Sequence, residues 1–210
     1  MEQNEITKII EKVVFQTLKE YHNIPIAASN RHIHLSPTDV ERLFGKGYEL
    51  KKIKNLSQPG QFACEETVTL IGPKGKIEKV RVLGPARGDT QVEVSLYDGY
   101  TLGVKPPIRN SGDIKGTAPI TIQGPKGQIM IEEGLICAAR HIHMHPDDAK
   151  FYNVKDGQRV QVETNGERGL IFNNVLIRVS PKYSLEMHID IDEANAAQIT
   201  NGEMGRIIRS

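Results

Sequence analysis

The sequence predicts a mainly β (α+β) fold made of two similar β-rich halves, and three observations carry that prediction. Short Val/Ile/Thr runs with alternating apolar residues recur along the chain, as half-buried strands require. Nineteen glycines and eleven prolines punctuate those runs with turn chemistry. A motif is also written twice, as "NRHIHLSPTD" at residues 30–39 and "ARHIHMHPDD" at residues 139–148. Arg31, His32, His34, Pro37 and Asp39 recur as Arg140, His141, His143, Pro146 and Asp148, each shifted by 109 positions (140 − 31).

Taken in order, residues 5–21 place Ile6, Ile9, Ile10, Val13, Val14, Thr17, Leu18 and Tyr21 at 3/4 spacing, the signature of an amphipathic helix. It either packs on the body of the protein or detaches to dock on a partner. Pro25 ends the helical pattern, and "IPIAASN" reads as a strand. After the first His-x-His, Ser36-Pro37-Thr38-Asp39 supplies an N-cap, an N1 proline and an acidic N3 residue, so a short helix should start there. "ETVTLIGPKGKIEKVRVLG" and "APITIQGPKGQIMIEEG" read as β-hairpins turning on Gly-Pro-Lys-Gly. No helix follows either GPKG, so neither reads as a phosphate loop. "QRVQVETNGERGLIFNNVLIRVS" reads as a further hairpin turning at Asn165-Gly166, followed by a strand. A boundary near "NSGDIKGTA" divides the chain into an N-terminal helix (1–22), a first domain (23–114) and a second domain (115–210).

Composition narrows the function classes. With 38% hydrophobic and 25% charged residues, the 210-residue chain has an ordinary globular composition and can bury a real core. A net charge of +1 with interspersed signs gives no nucleic-acid surface. No apolar run approaches the roughly 20 residues of a membrane span, and no signal peptide is evident, so the cytoplasm is the expected compartment. Two cysteines, Cys64 and Cys137, fit buried reduced thiols better than a disulfide framework or a metal site.

The chemistry lies in the duplicated histidines. On a strand, residues i and i+2 face one side, so His32/His34 and His141/His143 each present two imidazoles in one direction. Imidazole pairs of this kind suit zinc, whose catalytic sites keep about three protein ligands and an open position. Aligning "TQVEVSLYD" with "SLEMHIDID" sets Glu93 opposite His188, an offset of 95 (188 − 93), and gives each half a third ligand. His32, His34 and Glu93, with His141, His143 and His188, form a set suited to two adjacent zinc ions. His145 stands where the first copy has its capping Ser36, so helix capping is its expected role. His22, at the end of the predicted helix, is expected to be structural. Arg87 lies in the Gly/Pro-rich loop before Glu93, and its planar fork suits phosphate or carboxylate oxygens. Arg31 and Arg140 should point to the opposite face, bracing their strands or pairing with acids.

Together "RHIHLS", "GPARGDTQVEVS", "ARHIHM" and "LEMHID" resemble the PduL-type phosphotransacylases, the phosphate propanoyltransferase family associated with bacterial microcompartments. The resemblance spans about residues 24–208. It implies two similar β-barrel-like domains with a dinuclear zinc site between them. It also implies that His32, His34, Glu93, His141, His143 and His188 are metal ligands, that Arg87 holds phosphate, and that an acyl group passes reversibly between coenzyme A and inorganic phosphate. The expected partners are acyl-CoA, inorganic phosphate and acyl phosphate, with no nucleic acid and no membrane, and the expected assembly is a homo-oligomer. Residues 1–22 are the segment through which such a protein would meet microcompartment shell or lumen proteins, which adds the microcompartment lumen to the cytoplasm as an expected location. A dinuclear zinc hydrolase and a zinc-stabilised structural module are the rival readings. The hydrolase reading lacks the aspartate of an HxHxD motif, because residue 36 is Ser and residue 145 is His.

Overall fold

The computed structural model describes residues 5–11, 13 and 23–208. Residues 5–11 are helical (α1) and leave Ile6, Ile9 and Ile10 exposed. Residues 12 and 14–21 of the predicted 5–21 helix, with His22, lie outside the described residues. The next elements are β1 (Ile24–Ser29), β2 (His32–His34), α2 (Pro37–Phe44), β3 (Lys52–Asn55), β4 (Phe62–Ile71), β5 (Lys76–Gly84), β6 (Gln91–Glu93), α3 (Leu96–Leu102) and β7 (Ile108–Arg109). They are followed by β8 (Ala118–Gln123), β9 (Gln128–Ala138), β10 (His141–Met144), α4 (Pro146–Tyr152), β11 (Arg159–Thr164), β12 (Ile171–Val179), β13 (Glu186–Asp190), α5 (Ile191–Ala197) and β14 (Met204–Ile208). None of the described helices is long and apolar enough to cross a membrane.

The strands close two six-stranded barrels. In the first, β4, β5, β2, β6, β9 and β8 pair in turn and β8 returns to β4, with β3 and β7 added at β4 and β9. In the second, the order is β1, β13, β10, β12, β11 and β14, with β14 returning to β1. Each His-x-His strand runs parallel to the second arm of its own hairpin, β2 to β5 and β10 to β12. Closure removes exposed strand edges, so every ladder group within a ring finds a partner. Alternation supplies the cores: Ile33, Val68, Leu70, Val80, Val82, Val92 and Leu135 fill the first, while Ile24, Ile142, Val162, Val175, Ile177 and Met187 are buried in the second.

The repeat extends to irregularities. Lys79 in β5 and Asn174 in β12 both adopt a left-handed backbone at φ 58°. At each, two residues of one strand oppose one of its partner, between Leu70↔Ile77 and Val68↔Val80 in one barrel and between Val162↔Phe172 and Val160↔Val175 in the other. These bulges sharpen the twist at which each hairpin bends around its barrel.

The barrels are not consecutive in sequence. One compact unit comprises Ala28–Arg140 and His188–Ala196; the other takes the segment up to Ala27, which carries β1, with His141–Met187 and the segment from Ala197. The expected cut at 114/115 therefore gives way to an exchange of strands. β8 and β9 lie beyond residue 114 yet pair with β4 and β6, and β1 precedes β2 yet pairs with β14. In each half, the strand leading into the His-x-His closes the other half's barrel.

The GPKG turns also have a packing role. Gly72 and Gly124 each donate to the carbonyl of the turn's closing glycine at 2.9 Å, and both turns rest on a helix end. Lys74 N–H donates to Leu102 O at the end of α3, and Lys126 N–H to Leu43 O near the end of α2, both at 3.0 Å. These bonds satisfy carbonyls that a helix C-terminus leaves open. Glycine is what permits the approach, since a Cβ on Gly72 would enter the Leu102 carbonyl and one on Gly124 would lie 2.6 Å from Leu43 O. Gly72→Ala is expected to destabilise the fold by about 1–3 kcal/mol, the usual cost of forced overpacking. Gly88→Ala, where a Cβ meets nothing within 4 Å, should stay within about 0.5 kcal/mol of the parent. Urea unfolding of both variants checks the pair.

Candidate metal centres

β2 is only three residues long, but its neighbours fix its side chains. Ile33 is fully buried on the core face, which turns His32 and His34 together to the other face. Antiparallel β6 sets Glu93 directly opposite His32. Side chains of a cross-strand pair share a face and stand about 5 Å apart at Cβ, so the carboxylate arrives beside the imidazoles. The ligand atoms of His32, His34 and Glu93 all lie within 4.8 Å of one another.

Hydrogen bonds define the state of this triad. His32 Nδ1 lies 2.9 Å from the Asn30 carbonyl, which can only accept, so Nδ1 carries the proton. In the neutral ring the Nε2 lone pair then faces Glu93 Oε2 at 3.5 Å. Two lone pairs do not rest against each other unless a proton or a cation lies between them. The spacing suits a cation, because two ligands on a tetrahedral zinc stand about 3.3 Å apart when each bond is about 2.0–2.1 Å. Without an ion, burial disfavours charge on both partners, but each charge favours the other. His32 is therefore raised and Glu93 held well below the usual carboxylate range. His34 is lowered to about 3 by burial, with the positive charges of His32 and Arg87 adding to the effect, so its ring is neutral and able to donate a lone pair.

The second triad repeats the plan with different donors. His141 and His143 share a face of β10 with ring centroids 4.7 Å apart, and Ile142 between them is buried. β13 is the neighbour of β10 in the second barrel and carries His188. The ligand atoms of His141, His143 and His188 lie within 4.8 Å of one another. Tyr183 packs on the His143 ring with centroids 4.2 Å apart. His145 joins neither triad among the described residues; it is the N-cap of α4, with Nδ1 accepting from Asp147 N–H at 3.3 Å and its own N–H donating to Asp148 Oδ2 at 3.0 Å.

The arginines ahead of the His pairs meet acids. Arg31 grips the buried Asp98 with two nitrogens, Nε to Oδ2 at 3.0 Å and Nη2 to Oδ1 at 2.8 Å. Arg140 Nε pairs with Glu193 Oε1 at 2.9 Å. Both acids stand five residues beyond the third member of their triad (98 − 93 and 193 − 188) and close a helix start, Asp98 with Ser95 and Glu193 with Asp190. Each pair thus ties the entry of a His-x-His strand to the exit of the strand carrying the third member of its triad. Arg87 is exposed in its loop, its backbone N–H held by Leu35 O at 3.0 Å. Its charge reaches both His32 and His34, disfavouring their protonated forms.

Two neighbours of Glu93 escaped the sequence reading. Gln91 Nε2 donates to Glu93 Oε1 at 2.6 Å, and Ser111 Oγ donates to the same oxygen at 2.8 Å. Gln91 carried a signal, since it lies two residues from Glu93 on one strand and so shares its face. Ser111 carried none, because only the closed barrel brings its loop there.

A family model described as phosphate propanoyltransferase matches residues 25–200. A Priestia megaterium protein named phosphate propanoyltransferase is 59% identical over 208 residues, covering 98% of this chain and 96% of its own. One of that name from Thermotoga maritima is 54% identical over 203 residues, covering 95% and 97%. One from Clostridioides difficile is 50% identical over 207 residues, covering 99% of each.

The cysteines take no part in either triad. Cys64 is fully buried and its thiol is pushed up to about 11 by burial and the nearby Glu66. Cys137 is raised further by burial and by Asp190, whose Oδ2 accepts from the thiol at 3.3 Å. A raised pKa keeps a thiol protonated and a poor nucleophile. Neither cysteine should react with an aromatic disulfide reagent at mildly alkaline pH in the native protein, and both should react once urea unfolds it. A fast-reacting native thiol, read by absorbance, would contradict this.

Proposed function

We propose, for a chain that belongs to the phosphate propanoyltransferase family and is thus a phosphate acyltransferase, a dinuclear zinc enzyme that moves a short acyl group, propanoyl or acetyl, reversibly between coenzyme A and inorganic phosphate. The observation that carries the metal part is the pair of three-donor clusters, in one of which His32 Nε2 faces a carboxylate oxygen of Glu93 at 3.5 Å. His32, His34 and Glu93 would hold one ion, and His141, His143 and His188 the other. Bound zinc would supply Lewis acidity toward oxygen and an affinity for thiolate sulfur.

The protein's own groups then have defined tasks. Arg87 binds phosphate through its planar fork and offsets the charge that would otherwise repel an incoming anion. A phosphate oxygen attacks the thioester carbonyl, the new C–O bond forms, and the C–S bond breaks to release coenzyme A as a thiolate. Both cysteines are buried and kept protonated, which favours direct transfer over an acyl-enzyme. The same reading takes residues 1–22 as the segment that meets microcompartment shell or lumen proteins. Its support is the exposed apolar stripe of Ile6, Ile9, Ile10 and Val13 on the described helical residues.

Thiol release from propanoyl-CoA, followed with and without inorganic phosphate, tests the activity. Release that requires phosphate and stops on chelation is the expected outcome. Release without phosphate would instead mean a hydrolase, and none at all a structural module. Arg87→Ala should raise the KM for phosphate by roughly 10- to 100-fold, the equivalent of one charge-assisted contact, with a smaller change in KM for propanoyl-CoA. An unchanged phosphate KM would overturn the role given to Arg87.

A further inference from the structure

We infer that Gln91 and Ser111 are positioning residues that hold Glu93 as a ligand through one oxygen, an inference that rests on the metal reading above. The direction of every hydrogen bond in the cluster can be deduced. Gly112 N–H, a donor only, lies 2.7 Å from Gln91 Oε1. That fixes the amide, so Gln91 Nε2 faces the other way, toward Glu93 Oε1 at 2.6 Å and Ser111 Oγ at 3.0 Å. Having accepted from Gln91, the Ser111 hydroxyl turns its own proton to Glu93 Oε1 at 2.8 Å. Oε1 thus receives two donors, and Oε2 alone remains turned toward His32.

The arrangement is costly to replace. Gln91 is 3% exposed, and its amide has no water to turn to if the cluster is broken. A carboxylate free to rotate could bind an ion through both oxygens or swing away from it. Two donors on one oxygen remove that freedom before any ion arrives. Groups of this kind, which orient a ligand without touching the metal, typically alter metal affinity by 10- to 100-fold, on the order seen for second partners of ligands generally. Glu93 is the member of the triads that Gln91 and Ser111 hydrogen-bond, so the effect belongs to one triad. The cluster also links that triad to the loop at Ser111–Gly112, through a hydroxyl and a backbone N–H on adjacent residues.

The test is a zinc titration of chelator-stripped full-length protein against a chromophoric chelator, with a melting curve of each metal-free sample. The parent should bind two ions per chain. Ser111→Ala and Gln91→Leu should weaken one of the two by about 10- to 100-fold and spare the other, while Ser111→Thr, which keeps the hydroxyl, should restore it. Cobalt substitution gives a second readout, with the absorption of one ion altered. If the parent takes up no metal, the metal reading and this inference fall together. If the parent binds two ions and both variants match it, the inference alone is overturned. Equal weakening of both ions with a lowered metal-free melting temperature would mark a structural role and also overturn it.

Discussion

An antiparallel register governs the first triad. His32 and Glu93 belong to strands far apart in sequence, and nothing local to either brings them together. The β2–β6 ladder pairs them directly, and pairing puts both side chains on one face at contact distance. A slip of one residue would turn His32 and His34 into the core and Ile33 out of it, so burial of Ile33 enforces the register. The apolar residue inside His-x-His is therefore as much a part of the site as the histidines. In β10 the same logic places buried Ile142 between His141 and His143.

The two halves keep one framework and vary its donors. Arginine, His-x-His, helix start, third cluster member and acid occupy matching places in both. The third member is a carboxylate in one and an imidazole in the other, and the clamping acid is Asp98 in one and Glu193 in the other. With neutral imidazoles, the first cluster carries one negative charge and the second carries none. Two divalent ions held there would thus sit in different fields. Divergence within a repeat can divide binding from activation without changing the scaffold.

Much of this was legible in the sequence because the repeat compares the chain with itself. The histidine pairs, Glu93 and His188 as third members, His145 as a cap, and acids as partners for Arg31 and Arg140 all follow from spacing and alternation. The starts of α2 and α4 and the GPKG hairpins were equally local and equally readable, whereas α3 and α5 went unread. The ring order was not, because strand pairing is settled by burial over the whole barrel and leaves little local trace. Ser111 and Gly112 lie in a loop with ordinary turn composition, and only closure carries them to Glu93. The helix ends under Gly72 and Gly124 were hidden for the same reason.

The exchange of strands gives the duplication a further consequence. Residues 23–114 lack β8 and β9, so the ring that holds His32 and Glu93 cannot close within them. Residues 115–210 lack β1, so the other ring is short of a strand as well. An unclosed ring exposes ladder groups on two edges, which costs hydrogen bonds and invites other strands to pair. β6 illustrates the dependence: Glu93 pairs across to His32 on one side and lies beside Ile136 of β9 on the other. The strand bearing the carboxylate is held in place by a segment that leads directly into the second His-x-His. Each barrel is thus closed by chain from both halves although the three residues of each triad come from one, and a single duplicated unit of this sequence would have no closed barrel to hold its triad in place.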